Sequence, residues 1–117
     1  LGIELINDKM LNLIPKNSHI PIKASDCVTT VVDNQTTAKI KIYAGENSKA
    51  SKNIYLGCFE LKDIPPAPKG VPSIEVTFEV GTDGTVHVSA LNKSTGNYEK
   101  TTFKLPIRNR FFKNEAN

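Results

Sequence analysis

Four side chains have the types from which acid–base, nucleophilic or metal chemistry is commonly built: His19, His87, Cys27 and Cys58. Neither cysteine has a partner at metal-ligand spacing or a neighbouring histidine in the chain, so neither a zinc site nor an imidazole-activated thiolate is expected. Reduced thiols are the simpler reading. A disulfide between two sheets stays open, although an immunoglobulin-type core would call for a tryptophan and the chain has none. His19 stands just before Ile20-Pro21 and His87 takes the outward phase of an alternating segment, so both read as surface residues. No phosphate-cradling loop of the G-x-x-x-x-G-K-[ST] kind occurs, and no ATP hydrolysis is expected from these residues. Lys100, Lys104, Arg108, Arg110 and Lys113 crowd the C-terminal end, but 15 basic against 12 acidic residues leave a net charge of only +3. No aromatic stacking pattern that would favour nucleic acid accompanies it, so that cluster reads as a solvated tail, and no nucleic-acid partner is expected.

With no catalytic or metal-binding residue to place, the elements themselves carry the information. Ile74-Glu75-Val76-Thr77-Phe78-Glu79-Val80 alternates apolar and polar residues without a break, which puts one face in a core and the other in water. Thr85-Val86-His87-Val88-Ser89-Ala90 repeats the pattern, and Gly81-Thr82-Asp83-Gly84 between them supplies turn residues, so the two form a hairpin. Ala38-Lys39-Ile40-Lys41-Ile42-Tyr43 alternates again and ends on Gly45-Glu46-Asn47-Ser48. Residues 1–6, 10–14, 20–32, 54–61 and 98–105 complete about eight strands. The prolines between Ile64 and Pro72 lack the N–H donor a central strand needs, so this stretch is an ordered loop.

One all-β sandwich is the expectation for 117 residues, with residues 1–106 as the domain and residues 107–117 as a flexible or truncated end. The longest apolar run falls far short of the roughly 20 residues that span a bilayer, and no membrane partner is expected. Leu1 opens directly into strand-like sequence without an initiator Met or a signal-like leader, as in an excised fragment. A reducing compartment suits the two cysteines, and a cytoplasmic location is expected, with another reducing compartment or the endoplasmic reticulum lumen as alternatives. Strand counting alone leaves open an unrelated β-sandwich interaction module.

A more specific pattern lies in Leu1-Gly2-Ile3-Glu4, Leu13-Ile14-Pro15-Lys16-Asn17, Asp33-Asn34-Gln35, Gly45-Glu46, the proline-rich loop, Ile74-Glu75-Val76-Thr77-Phe78 and Val86-His87-Val88-Ser89-Ala90. In order and spacing this series resembles the peptide-binding β-domain of the seventy-kilodalton heat-shock chaperones, from Leu1 to about Pro106. The resemblance implies two four-stranded antiparallel sheets with loops at one end enclosing an extended hydrophobic peptide. It implies that Ile3, Val28, Ala38, Ile40 and Ile74 line a pocket for one client side chain, and that Ile6 and Val31 meet over the peptide as an arch. Leu1, Leu5, Asp33 and Gln35 would touch the peptide backbone or its flanks; Asp33 and Lys69 would face a helical lid; Lys16, Pro21 and Asp83 would dock an ATPase domain. In the intact protein it further implies ATP and magnesium, an ATPase domain before this segment and a lid after it, unfolded polypeptides as clients, and J-domain co-chaperones as partners.

The chain also departs from that family. Leu5-Ile6-Asn7-Asp8 stands where relatives have Thr, Met or Ala and then two glycines, so the first enclosing loop is expected to be bulkier and stiffer. Ala38 replaces a larger aliphatic residue and Val28 a frequent aromatic, which predicts a pocket favouring a larger central side chain. The stretch Arg108-Asn109-Arg110-Phe111-Phe112 is a candidate to enter the groove of a second copy and so form a dimer.

Overall fold

β-Branched and aromatic residues at every second position pack well on a pleated surface, and these segments pair accordingly. The computed structural model describes residues 1–105 and 112–114. One sheet has the order β2-β1-β5-β6, from β1 (Gly2–Leu5), β2 (Lys9–Asn12), β5 (Ala38–Ala44) and β6 (Ile54–Leu61). The other has the order β4-β7-β8-β9, from β4 (Ile22–Val28), β7 (Ile74–Val80), β8 (Thr85–Asn92) and β9 (Tyr98–Lys104). Every pairing within these two sheets is antiparallel, so the expected sandwich of two four-stranded sheets is the fold.

The inward phase of each strand makes the core. Ile3, Ile40, Ile42 and Leu61 from the first sheet meet Val76, Phe78, Val80, Val86, Val88 and Ala90 from the second, and Phe78 is fully buried. The β7–β8 hairpin closes as expected: the Gly81 N–H donates to the Thr85 carbonyl at 2.9 Å and the Gly84 N–H to the Gly81 carbonyl at 3.0 Å. Gly84 holds φ at +85°, and a Cβ there would stand 2.7 Å from the Leu105 carbonyl oxygen, so two constraints demand glycine.

Two expectations need correction. The stretch 20–32 is not one strand: Pro21 has no N–H to give a ladder, so β3 (Ser18–Ile20) is separate from β4, and β4 stops at Val28. Beyond it, the β-branched residues Thr29, Thr30, Val31 and Val32 run in a loop because their segment bonds to the proline-rich loop instead. The Asn34 N–H donates to the Ala67 carbonyl at 2.8 Å, the Lys69 N–H to Asp33 Oδ1 at 3.0 Å and the Gly70 N–H to the Thr30 carbonyl at 3.2 Å. The second strand spans Lys9–Asn12 rather than residues 10–14, since the N–H groups of Leu13 and Ile14 both turn to the Leu1 carbonyl.

Within the C-terminal segment expected to be flexible or truncated, β10 (Phe112–Asn114) pairs in parallel with β3, Phe112 opposite Ser18 and Asn114 opposite Ile20. The edge of β3 offers a row of backbone groups that serves as a template for such pairing. Arg108 to Phe111 of the expected tail-in-groove contact lie outside the described residues.

Candidate functional site

The strand directions separate the two ends of the sandwich. β1 and β4 run toward one end, where β5 and β7 begin. There the turn after β1, the loop after β4 and the starts of β5 and β7 surround a cavity of about 190 Å³. Its lining is Ile3, Glu4, Leu5, Ile6, Val28, Thr29, Val31, Gln35, Ala38, Lys39, Ile40 and Ile74.

All five residues expected in a pocket therefore come together. Ile3, Ala38, Ile40 and Ile74 belong at the same time to the core, with exposures of 1%, 8%, 4% and 0%, so the cavity floor is the top of the core itself. Val28, opposite Ile74 in the β4–β7 register, is only partly buried and forms a wall. Ile6 and Val31 are 55% and 45% exposed on opposite loops of the rim. Apolar surface held in water at the mouth of an apolar hollow is the arrangement a hydrophobic ligand would cover.

Hydrogen bonds fix the rim. The Gln35 side chain accepts from the Val31 N–H at 3.0 Å and donates to the Thr37 carbonyl at 2.8 Å, so it braces the loop from within. Thr30 is buried, and its hydroxyl has no partner among the described residues. The opposite rim is the Ile6–Asp8 turn, in which Asn7 and Asp8 both adopt left-handed backbone, with φ of 62° and 60°.

Residues 46–51 lie along β2. Asn12 Nδ2 donates to Glu46 at 2.7 Å, the Met10 N–H to the Ser48 carbonyl at 2.9 Å, and the Ser51 N–H and hydroxyl to the two oxygens of Asp8 at 2.8 and 2.5 Å. The two bonds from Ser51 hold the Asp8 carboxyl below the ordinary carboxylate range.

The remaining expected residues fall elsewhere. Leu1 is buried, its backbone nitrogen donates to the Ile14 carbonyl at 2.6 Å, and it does not line the cavity. Asp33 is engaged with the Lys69 N–H, which places both on the stitched loops beside the cavity rather than on its wall. Lys16, Pro21 and Asp83 all sit at the far end, where Asp83 accepts the Thr85 N–H at 3.0 Å and hydroxyl at 2.9 Å. Glu4, Thr29 and Lys39 line the cavity without having been singled out. Glu4 is held by the Tyr43 hydroxyl at 3.1 Å and approached by Lys41 at 3.9 Å. Its polar, outward phase on β1 gave no sign that it borders an apolar hollow.

A larger hollow of about 380 Å³ lies on the outer face of the second sheet, lined by Lys23, Glu75, Thr77, Glu79, His87, Ser89, Leu91, Tyr98 and Lys100. Its charges are balanced, and His87 there shares a 3.1 Å hydrogen bond with the Thr102 hydroxyl. Cys27 and Cys58 are free and exposed, which removes the alternative of a disulfide across the sandwich. Among the described residues no three His, Cys, Asp or Glu side chains gather as metal ligands.

The family model for the Hsp70 protein matches residues 1–110 of the chain. The chain belongs to the Hsp70 family. That membership replaces the unrelated sandwich module left open by strand counting, and places the chain among chaperones whose full-length members carry an ATPase using ATP and magnesium. The large hollow on the outer face of the second sheet does not fit a triphosphate, because it sets Glu75 and Glu79 against Lys23 and Lys100 and so presents no net positive charge. The β-rich chain fits the substrate-binding β-domain of an Hsp70 protein.

Proposed function

We propose that the chain is the part of an Hsp70 chaperone that holds extended apolar segments of unfolded polypeptides, and that it does so at the cavity between Ile6 and Val31. The observation that carries this reading is an apolar hollow floored by Ile3, Ala38, Ile40 and Ile74 and overhung by two exposed aliphatic side chains. An unfolded client offers apolar side chains and unpaired backbone groups, so it needs a hollow and hydrogen-bonding partners rather than a reactive group. The cavity takes one client side chain, and the rim loops flank the client backbone.

In the intact protein the far end, with Lys16, Pro21 and Asp83, meets the ATPase domain, whose nucleotide state controls the site, and J-domain co-chaperones act through that domain. Asp33 and Lys69, on the stitched loops beside the cavity, face the lid. The cytoplasm is the proposed location. The chain by itself hydrolyses no ATP.

Fluorescence anisotropy of a labelled heptapeptide with a central leucine tests the reading. Saturable, rapidly reversible binding is expected, with displacement by a reduced unfolded protein. Lack of saturation into the high micromolar range would refute it.

A further inference from the structure

We infer that Asp8 and Ser51 form a latch that holds Ile6 over the cavity and so sets how fast a peptide enters and leaves; this rests on the peptide-binding reading above. Two consecutive side-chain-bearing residues in left-handed backbone, Asn7 at φ 62° and Asp8 at φ 60°, persist only where their surroundings dictate the conformation. The Asp8 carboxylate supplies that constraint. It accepts both the N–H and the hydroxyl of Ser51, a residue far along the chain in the 3₁₀ turn Ala50–Lys52.

That partner is itself fixed. Ala50 beside it is fully buried, and the segment is tied to β2 by the Met10–Ser48 hydrogen bond and the Lys9–Lys49 bridge. Ile6, two residues before Asp8, is 55% exposed at the cavity mouth and has no core packing of its own to hold it there. Its position is therefore delegated to the turn, and the turn's to the latch. Asp8 and Ser51 are positioning residues: they touch no ligand and act through Ile6.

Asp8→Gly removes the carboxylate while keeping a residue suited to left-handed backbone, and Ser51→Ala removes the hydroxyl from the other side. Stopped-flow mixing with the labelled Leu-centred heptapeptide is expected to show association and dissociation both faster by about three- to tenfold in Asp8→Gly. The double variant should be no faster than Asp8→Gly alone, because both changes break one contact. Amide hydrogen exchange without peptide provides a separate readout: the Ser51 N–H should be protected in the unsubstituted chain and exchange faster in Asp8→Gly.

A chain that binds no peptide would overturn the peptide-binding reading and this inference with it. A chain that binds, and exchanges peptide at the same rate with or without the Asp8 carboxylate, would overturn the latch alone. So would a Ser51 amide that is unprotected in the unsubstituted chain.

Discussion

Ala38 forms part of the cavity floor and is 8% exposed, so Ala38→Val adds two methyl groups into space that a client side chain would otherwise fill. The cavity measures about 190 Å³, and an apolar cavity of about 150 Å³ already admits benzene. A phenylalanine side chain is thus accommodated, and a central leucine leaves room unfilled. Each methylene-sized contact is worth about 0.8 kcal/mol, so two lost by a Phe-centred ligand give an upper bound of about 1.6 kcal/mol. At about 1.4 kcal/mol per decade that is about fifteenfold, and about fourfold if half the effect is absorbed by relaxation of Val28 or the rim. The unsubstituted chain is therefore expected to prefer Phe over Leu at the centre of a heptapeptide, and Ala38→Val to move the ratio toward Leu by about four- to fifteenfold. Paired peptides differing only at that position, titrated by anisotropy into both proteins, measure the ratio. Thermal melts of both confirm that the folded state is being compared. A preference for Leu in the unsubstituted chain, or the same ratio in both proteins, would show that the space is not available to the client.

Phe78, fully buried between the sheets, should cost about 3–5 kcal/mol when replaced by alanine; urea unfolding giving under about 1 kcal/mol would mean the core collapses around the loss. The buried Thr30 hydroxyl lacks a partner, so the near-isosteric Thr30→Val should stabilise the chain by about 1 kcal/mol. Destabilisation in the same assay would reveal that the hydroxyl is used. The Thr85 N–H and hydroxyl hold the Asp83 carboxyl below its ordinary 3.8. A carboxylate lowered on folding stabilises the native state above its unfolded value and ceases to do so as the pH falls through the folded one. Asp83→Ala should therefore melt lower than the unsubstituted chain at pH 7, with the gap closing below about pH 4; a gap independent of pH would assign the effect to the turn backbone alone.

What the sequence discloses depends on how local the cause is. β5, β7 and β8 are legible because their alternation records burial residue by residue, and the β7–β8 turn because Gly84 answers a nearby backbone demand. The loop after Val28 is misleading for the same reason. Thr29, Thr30, Val31 and Val32 have strand composition, and what keeps them out of a ladder is the proline-rich segment more than thirty residues later, invisible to any window. β10 is hidden likewise, since its partner β3 lies near the other end of the chain. At the cavity, the apolar lining followed from the family resemblance rather than from pattern, because Ile3, Ile40 and Ile74 are core residues by every local criterion and are so in fact. The Asp8–Ser51 contact had no signal at all: an aspartate in a turn and a serine in a loop are ordinary at both positions.

The proline-rich segment runs from the first sheet to the second, from β6 to β7, and the loop holding Val31 runs back from the second to the first, from β4 to β5. The bonds at Thr30, Asp33 and Asn34 fasten these two crossings side by side. They behave as one strap across the end of the sandwich. A load that pulls the Val31 rim outward is shared between both sheets, whereas the Ile6 rim belongs to the first sheet only. The two sides of the mouth are therefore anchored differently, the Val31 side by bonds that join crossings between the sheets and the Ile6 side by the Asp8–Ser51 contact within one.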